Sequence, residues 1–242
     1  MTLLDSWARG EHTADGVTHP TYRKGGGPGV VVIHEIPGLT PPVIRFAEDV
    51  VAAGFTVVLP DLFGRAEEPK STVSIVRTLR EVCVSREYTL LATGQTSPVA
   101  GWLRSLAREL HGELGGPGVG ALGMCFTGGF ALAMMVDPSV AAPVLAQPSL
   151  PFCVGRKRAA DVNLSPGDLA AVKQRAADGC DVLGLRYRKD PAVGTRFDTL
   201  TRELGSSFIR VEFEGRKHST LTEHRQEGVD RVLAFLTEKL KD

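Results

Sequence analysis

Cys125, Asp190 and His218, in that order along the chain, are side chains of the types that together carry out nucleophilic acyl chemistry. A cysteine attacks a carbonyl as its thiolate, an imidazole takes up and returns the proton, and a carboxylate orients the imidazole and stabilises its cationic form. Cys125 lies in Gly123-Met124-Cys125-Phe126-Thr127-Gly128-Gly129, between a strand expected from Pro117 to Gly123 and an Ala/Gly-rich helix expected from Phe126 to Met135. A tight turn of this kind strains the backbone of its central residue, so the neighbours must be small. Gly123 meets that need two residues before the cysteine. Two residues after it stands Thr127, where glycine is usual, followed by Gly128 and Gly129. Partial positive charge at the start of the following helix favours a thiolate, and the Phe126 N–H would point at a developing oxyanion. The alternative for Cys125 is a small buried core residue. Cys83, Cys153 and Cys180 lack such a setting and are read as structural.

The base must sit on a loop after a late strand, and His218, beyond Val211-Glu212-Phe213-Glu214-Gly215, is placed that way. His12 and His19 precede the sheet, His111 ends a helix, and His224 lies a turn beyond His218. His34 is the rival, because it closes the first buried strand. Asp190 follows the strand expected from Asp181 to Tyr187 and precedes Pro191. It can orient His218, or it can be a turn or capping residue; Asp198, inside the next helix, is the fallback. Glu35 immediately follows the buried run Val30 to His34. Its carboxylate could hold the Cys125 proton by contacting the thiol, or it could be an exposed loop acid, and the spacing is even between the two.

The elements that must position these groups alternate. Val30–His34 is a continuous β-branched run, the mark of a strand covered on both faces, and Phe55–Leu59, Val140–Ala146 and Phe208–Phe213 are further expected strands. Helices are expected over Pro42–Ala53, from Ser97-Pro98 to His111, over Val193–Leu204 and over Glu227–Lys239. Thr18–Lys24 reads as an edge strand or hairpin. Repeated β-α-β implies an α/β fold, a mostly parallel central sheet with helices on both faces, in one domain spanning residues 1–242. Two excursions break the rhythm. Glu67–Thr96 holds a helix near Val73–Val82, and Gln147–Gly179 holds a capping box at Ser165-Pro166-Gly167-Asp168. Both leave from the C-terminal edges of strands, where open α/β sheets bind ligands.

Composition narrows the partners. Lys plus Arg equals Asp plus Glu, at 28 each among 242 residues, so no global field recruits nucleic acid or an anionic membrane. Arg156-Lys157-Arg158 reads as a solvated loop. No apolar run reaches the length of a membrane span, and Met1–His12 does not resemble a signal peptide. The four cysteines form no CxxC pair and no metal-type spacing, which points to a cytoplasmic protein with free thiols. Neither a phosphate loop nor a dinucleotide fingerprint is present, since Gly25-Gly26-Gly27 precedes a strand. No metal or organic cofactor is therefore expected. The expected partner is a small molecule, and the expected state is a monomer or small homo-oligomer.

With these residues in place, the chain resembles the dienelactone hydrolase family of the α/β-hydrolase superfamily. The matching stretches are His34-Glu35-Ile36-Pro37-Gly38, Leu59-Pro60-Asp61-Leu62-Phe63, Gly123-Met124-Cys125, Asp190 and Gly215-Arg216-Lys217-His218. The resemblance implies a Cys125-His218-Asp190 triad with Glu35 contacting the thiol, and an oxyanion hole from the backbone N–H groups of Ile36 and Phe126. It implies hydrolysis of a lactone or activated ester through an acyl-enzyme. Members of that family hold a substrate carboxylate with arginines, one of them four residues after the histidine; here that position is Thr222. Arg80, Arg86 and Arg225 are the remaining candidates for that contact. Two other readings stand beside this one. A broad carboxylesterase or thioesterase could use an apolar pocket lined by Phe63, Phe126, Phe152 and Trp102, and a non-catalytic protein of the same fold could bind a small molecule.

Overall fold

The computed structural model describes residues 2–223 and 226–241. The β-branched runs behave as their sequences require. Gly29–Ile33 (β3), Thr56–Pro60 (β4), Val119–Met124 (β5) and Val182–Tyr187 (β7) are buried at every residue. Successive side chains alternate between faces. In β3, Val31 and Ile33 pack into one apolar cluster and Val30 and Val32 into the other. That division explains why these strands are apolar throughout rather than alternating.

With Ala8–Ala14 (β1), Val17–Gly25 (β2), Val140–Ala146 (β6) and Phe208–Phe213 (β8), the strands form one sheet in the order β1-β2-β4-β3-β5-β6-β7-β8. Pairs from β4 to β8 are parallel, and β2 runs antiparallel to both β1 and β4. The stretch around Thr18–Lys24 is thus the inner arm of a hairpin. Its outer arm, β1, is mostly exposed and carries no apolar period, so nothing in its sequence marks it as a strand. Helices Pro41–Ala52 (α1) and Gln226–Leu240 (α8) cover one face. Val99–Leu114 (α3), Gly128–Met134 (α4), Pro166–Ala177 (α6) and Arg196–Leu204 (α7) cover the other. This is the doubly covered α/β architecture expected.

Two local expectations change. Ser97 does not cap α3; its hydroxyl turns inward to Thr89 Oγ1 at 2.8 Å and Asn163 Oδ1 at 3.1 Å, and Pro98 occupies the cap. The turn after β5 begins as a short 3₁₀ segment, Cys125–Thr127, before α4 starts at Gly128.

The two excursions contain Thr72–Val84 (α2) and Arg156–Ala160 (α5), and they meet each other. Phe152 N–H donates to Leu90 O at 3.0 Å, Gly94 N–H to Asp161 Oδ2 at 2.7 Å, and Arg158 Nε to Leu91 O at 2.7 Å. Residues from both excursions reach the ring of Phe126, Tyr88 at 5.5 Å and Phe152 at 6.3 Å between centroids. They form one wall beside the turn that carries Cys125. Among the described residues no helix is long and apolar enough to cross a membrane.

Candidate active site

Cys125 has φ +53°, a left-handed conformation that costs a non-glycine residue about 1–3 kcal/mol and persists only where the surroundings enforce it. The enforcement is visible. A Cβ on Gly123 would lie 2.2 Å from the Thr127 carbonyl oxygen, so only glycine lets the turn close. Thr127, the departure from the usual small residue, does not obstruct the turn. Its buried hydroxyl lies 3.2, 3.1 and 3.1 Å from the carbonyls of Ile33, His34 and Met124, and accepts the Met124 N–H at 3.0 Å. A glycine could make none of these contacts, which join the end of β5 to the end of β3.

His218 is half-buried and its Nδ1 is 2.7 Å from Asp190 Oδ2. The other Asp190 oxygen accepts the Ala192 N–H at 2.9 Å, so the carboxylate serves both the turn and the imidazole. Burial pushes the His218 ring down, but hydrogen bonds with Asp190 and with Cys125 push it up further, to about 10. With Nδ1 engaged by Asp190, Nε2 is the nitrogen left for the Cys125 thiol. The structure therefore brings Cys125, His218 and Asp190 together from three loops at the C-terminal edge of the sheet. The thiol, itself half-buried, also receives the Ser149 hydroxyl at 3.3 Å. No sequence signal singles out Ser149.

The rival histidine is removed by its own hydrogen bonds. His34 is fully buried, its Nδ1 bonded to Glu35 O at 3.2 Å and its Nε2 accepting the Leu62 N–H at 3.1 Å. Desolvation holds it down, at about 4, so it stays neutral and ties β3 to the loop after β4. His12 and His19 pair with Glu109 and Glu87, and His111 bonds to Gly116 O. His224 lies outside the described residues, as does Arg225.

Glu35 is buried, not an exposed loop acid. Among the described residues its hydrogen-bond partner is Thr222, whose Oγ1 donates to Oε1 at 2.7 Å, and not the thiol. The Ile36 N–H donates to no acceptor among the described residues. Arg80 is exposed and lines a groove on α2 with Val73, Val76 and Arg77, and Arg86 is exposed after that helix. Trp102 is also distant in role. It is buried under the β1–β2 hairpin, with His12 and His19 against its ring and its Nε1 donating to Val17 O. Phe63 and Phe126 meet edge to face at 5.4 Å. Beyond Phe63, a cavity of about 360 Å³ is lined by His19, Asp61, Glu81 and Tyr88.

Of the remaining thiols, Cys153 and Cys180 bond to backbone carbonyls, but Cys83 is exposed and has no contact of that kind among the described residues. Among the described residues no cluster of His, Cys, Asp and Glu side chains is placed to hold a metal ion.

Comparison with known proteins adds to this geometry. Comparison with curated proteins finds no match. Solved structures share the fold at low identity. A dienelactone hydrolase from Anabaena variabilis is 16% identical with TM-score 0.65, covering 97% of this chain and 98% of its own. A dienelactone hydrolase-like promiscuous phosphotriesterase from metagenomic libraries is 17% identical with TM-score 0.66, covering 97% and 98%. A cold-adapted esterase from an Arctic intertidal metagenomic library is 17% identical with TM-score 0.64, covering 100% of both chains. The model of the dienelactone hydrolase family matches residues 17–164, which take in Glu35, Ile36, Cys125 and Phe126 and stop before Asp190 and His218. That match spans more than half of the chain, and the chain belongs to the dienelactone hydrolase family, a family of hydrolases that act on esters.

Proposed function

We propose that this protein hydrolyses a small-molecule ester through an acyl-enzyme on Cys125, with His218 as proton carrier and Asp190 as its orienting acid. The observation that carries the reading is the left-handed Cys125 beside an imidazole already held by Asp190 at 2.7 Å. His218 holds the proton at rest, and Sγ attacks the carbonyl carbon as the thiolate beside the imidazolium. The N–H groups of Phe126 and Ile36 receive the oxyanion. Collapse expels the leaving oxygen, which takes the proton from His218. Water then attacks the thioester, giving its proton to the same nitrogen. The C–S bond breaks with its electron pair returning to sulfur, and the acid departs.

Within this reading, the Thr222–Glu35 pair favours an ester or thioester without a carboxylate over a carboxylate-bearing lactone. The position from which the resembled family reaches a substrate carboxylate holds a hydroxyl bonded to a buried acid. A substrate carboxylate there would face the buried Glu35 carboxyl group with a hydroxyl, not a cation, to receive it.

The test compares wild type with Cys125→Ala on an aryl acetate, an enol lactone carrying a carboxylate, and a thioester. Turnover is expected to vanish in the variant, and wild type is expected to prefer the aryl acetate or thioester. An equally active Cys125→Ala variant would overturn the nucleophile. A folded wild type that turns over none of the three would favour a binding protein instead.

A further inference from the structure

The Ser149 hydroxyl lies within hydrogen-bond range of the reacting sulfur, in a loop fixed from three sides. Ser149 is 5% exposed, and Cys125 Sγ at 3.3 Å is its hydroxyl's partner among the described residues. A buried hydroxyl needs an acceptor, and here the acceptor is the sulfur. We infer that Ser149 is a further catalytic residue, whose O–H donates to Cys125 Sγ and stabilises the charge that returns to sulfur when the acyl-enzyme breaks down. This inference rests on the reading of Cys125 as nucleophile.

The surrounding backbone makes the contact a built one. Ser149 N–H donates to Cys125 O at 2.9 Å, so the two residues are joined through both main chain and side chain. Two residues earlier, Gln147 has φ +38° and is fully buried. Its N–H donates to Leu185 O at 2.7 Å, and its Oε1 accepts the Thr220 N–H at 3.1 Å and the Thr220 hydroxyl at 2.5 Å. That pins the start of the loop to the segment carrying His218. On its far side lies Arg196, a buried guanidinium that donates to Leu150 O at 3.2 Å and to Pro151 O. The same guanidinium donates to Ala192 O at 3.0 Å and Val193 O at 2.9 Å, next to Asp190. Ser149 is thus held in register with both other members of the site.

The chemistry predicts where its loss is felt. During acylation, a hydrogen bond to the thiolate increases the thiolate fraction but lowers its nucleophilicity, and the two effects partly cancel. During deacylation, water has attacked the thioester carbon and His218 holds the water's proton. The C–S bond then breaks, its electron pair goes to Sγ, and the hydroxyl meets a growing negative charge with no opposing effect. No proton leaves Ser149 in either step. Deacylation should therefore suffer more than acylation.

The experiment uses Ser149→Ala and Ser149→Thr in the full chain with p-nitrophenyl acetate, together with alkylation of Cys125 by iodoacetamide across pH. Because Cys83 is exposed, alkylation is read on the Cys125 peptide by mass spectrometry. For Ser149→Ala, loss of one hydrogen bond to a charged group should slow decay of the acetyl-enzyme by about tenfold, with kcat and KM falling together. The pH of half-maximal Cys125 alkylation should rise by about half a unit to one unit. Ser149→Thr, which keeps the hydroxyl, should return both toward wild type. Unchanged acetyl-enzyme decay and an unchanged alkylation profile would overturn the proposal. So would a loss in which kcat/KM and the unfolding midpoint fall together with the alkylation profile unmoved, because that is a structural effect. The alkylation arm needs no turnover, so a failed Ser149 contact is distinguishable from a failed nucleophile.

Discussion

Thr127 Oγ1 stands 3.1 Å from the carbonyl oxygen of His34, joining the turn that carries Cys125 to the end of the strand that leads to Ile36. The two N–H groups assigned to the oxyanion belong to those two segments, so this hydroxyl sets their spacing. Thr127→Val keeps the shape and removes the hydroxyl, leaving the Met124 N–H without its acceptor. A buried donor left unsatisfied costs about 1–3 kcal/mol, and the urea midpoint should fall accordingly with the slope unchanged. Thr127→Ser should stay close to wild type. If Thr127→Val matched wild type in both stability and turnover, the hydroxyl would have no such role.

Asp190→Asn tests the imidazole. The amide can accept the Ala192 N–H but cannot both accept from Nδ1–H and supply charge, so the wrong tautomer is favoured and kcat/KM should fall by about a hundredfold or more. The same variant has a signature in stability. In wild type, His218 sits at about 10 folded against 6.5 as its ordinary value. Its protonation therefore contributes stability in full below pH 6.5, a contribution lost as pH rises through about 10. The stability gap between wild type and Asp190→Asn should be widest below pH 6.5 and should close as pH rises from 6.5 to about 10. A gap that is flat from pH 6 to 11 in urea denaturation would contradict the assignment.

His34 has the opposite sign. Its folded value is about 4 against 6.5, so the unfolded chain takes up a proton that the folded one refuses. Stability should be lost as pH falls from 6.5 toward 4, by on the order of 3 kcal/mol, and this loss should level off below that. Histidine NMR offers the direct check. The His34 ring should remain neutral at pH 5, and titration near 6.5 would show that burial does not control it.

Thr222→Arg probes the choice of substrate. An arginine at this position would meet Glu35 and offer a cation where Thr222 now offers a hydroxyl. The ratio of kcat/KM for a carboxylate-bearing enol lactone to that for an aryl acetate should rise by about tenfold, the worth of one partly exposed ion pair. An unchanged ratio would place substrate recognition elsewhere on the site's wall.

The sequence by itself determined the sheet's buried strands, because β-branched runs covered on both faces need no partner information to be recognised. It also determined the order Cys125, Asp190, His218 and the strand-to-helix turn around the cysteine, because glycine spacing and strand ends are local. Only the tertiary structure decided which polar groups meet. Thr127 reaches Ile33 and His34, Thr222 reaches Glu35, and Ser149 reaches Cys125, across chain separations of 94, 93, 187 and 24 residues respectively. A single hydroxyl has no periodicity to read, and its partner is set by how strand ends converge at one edge of the sheet. The same reason hid β1: an exposed outer strand has no buried face to impress on its sequence, and it becomes a strand through backbone pairing with β2.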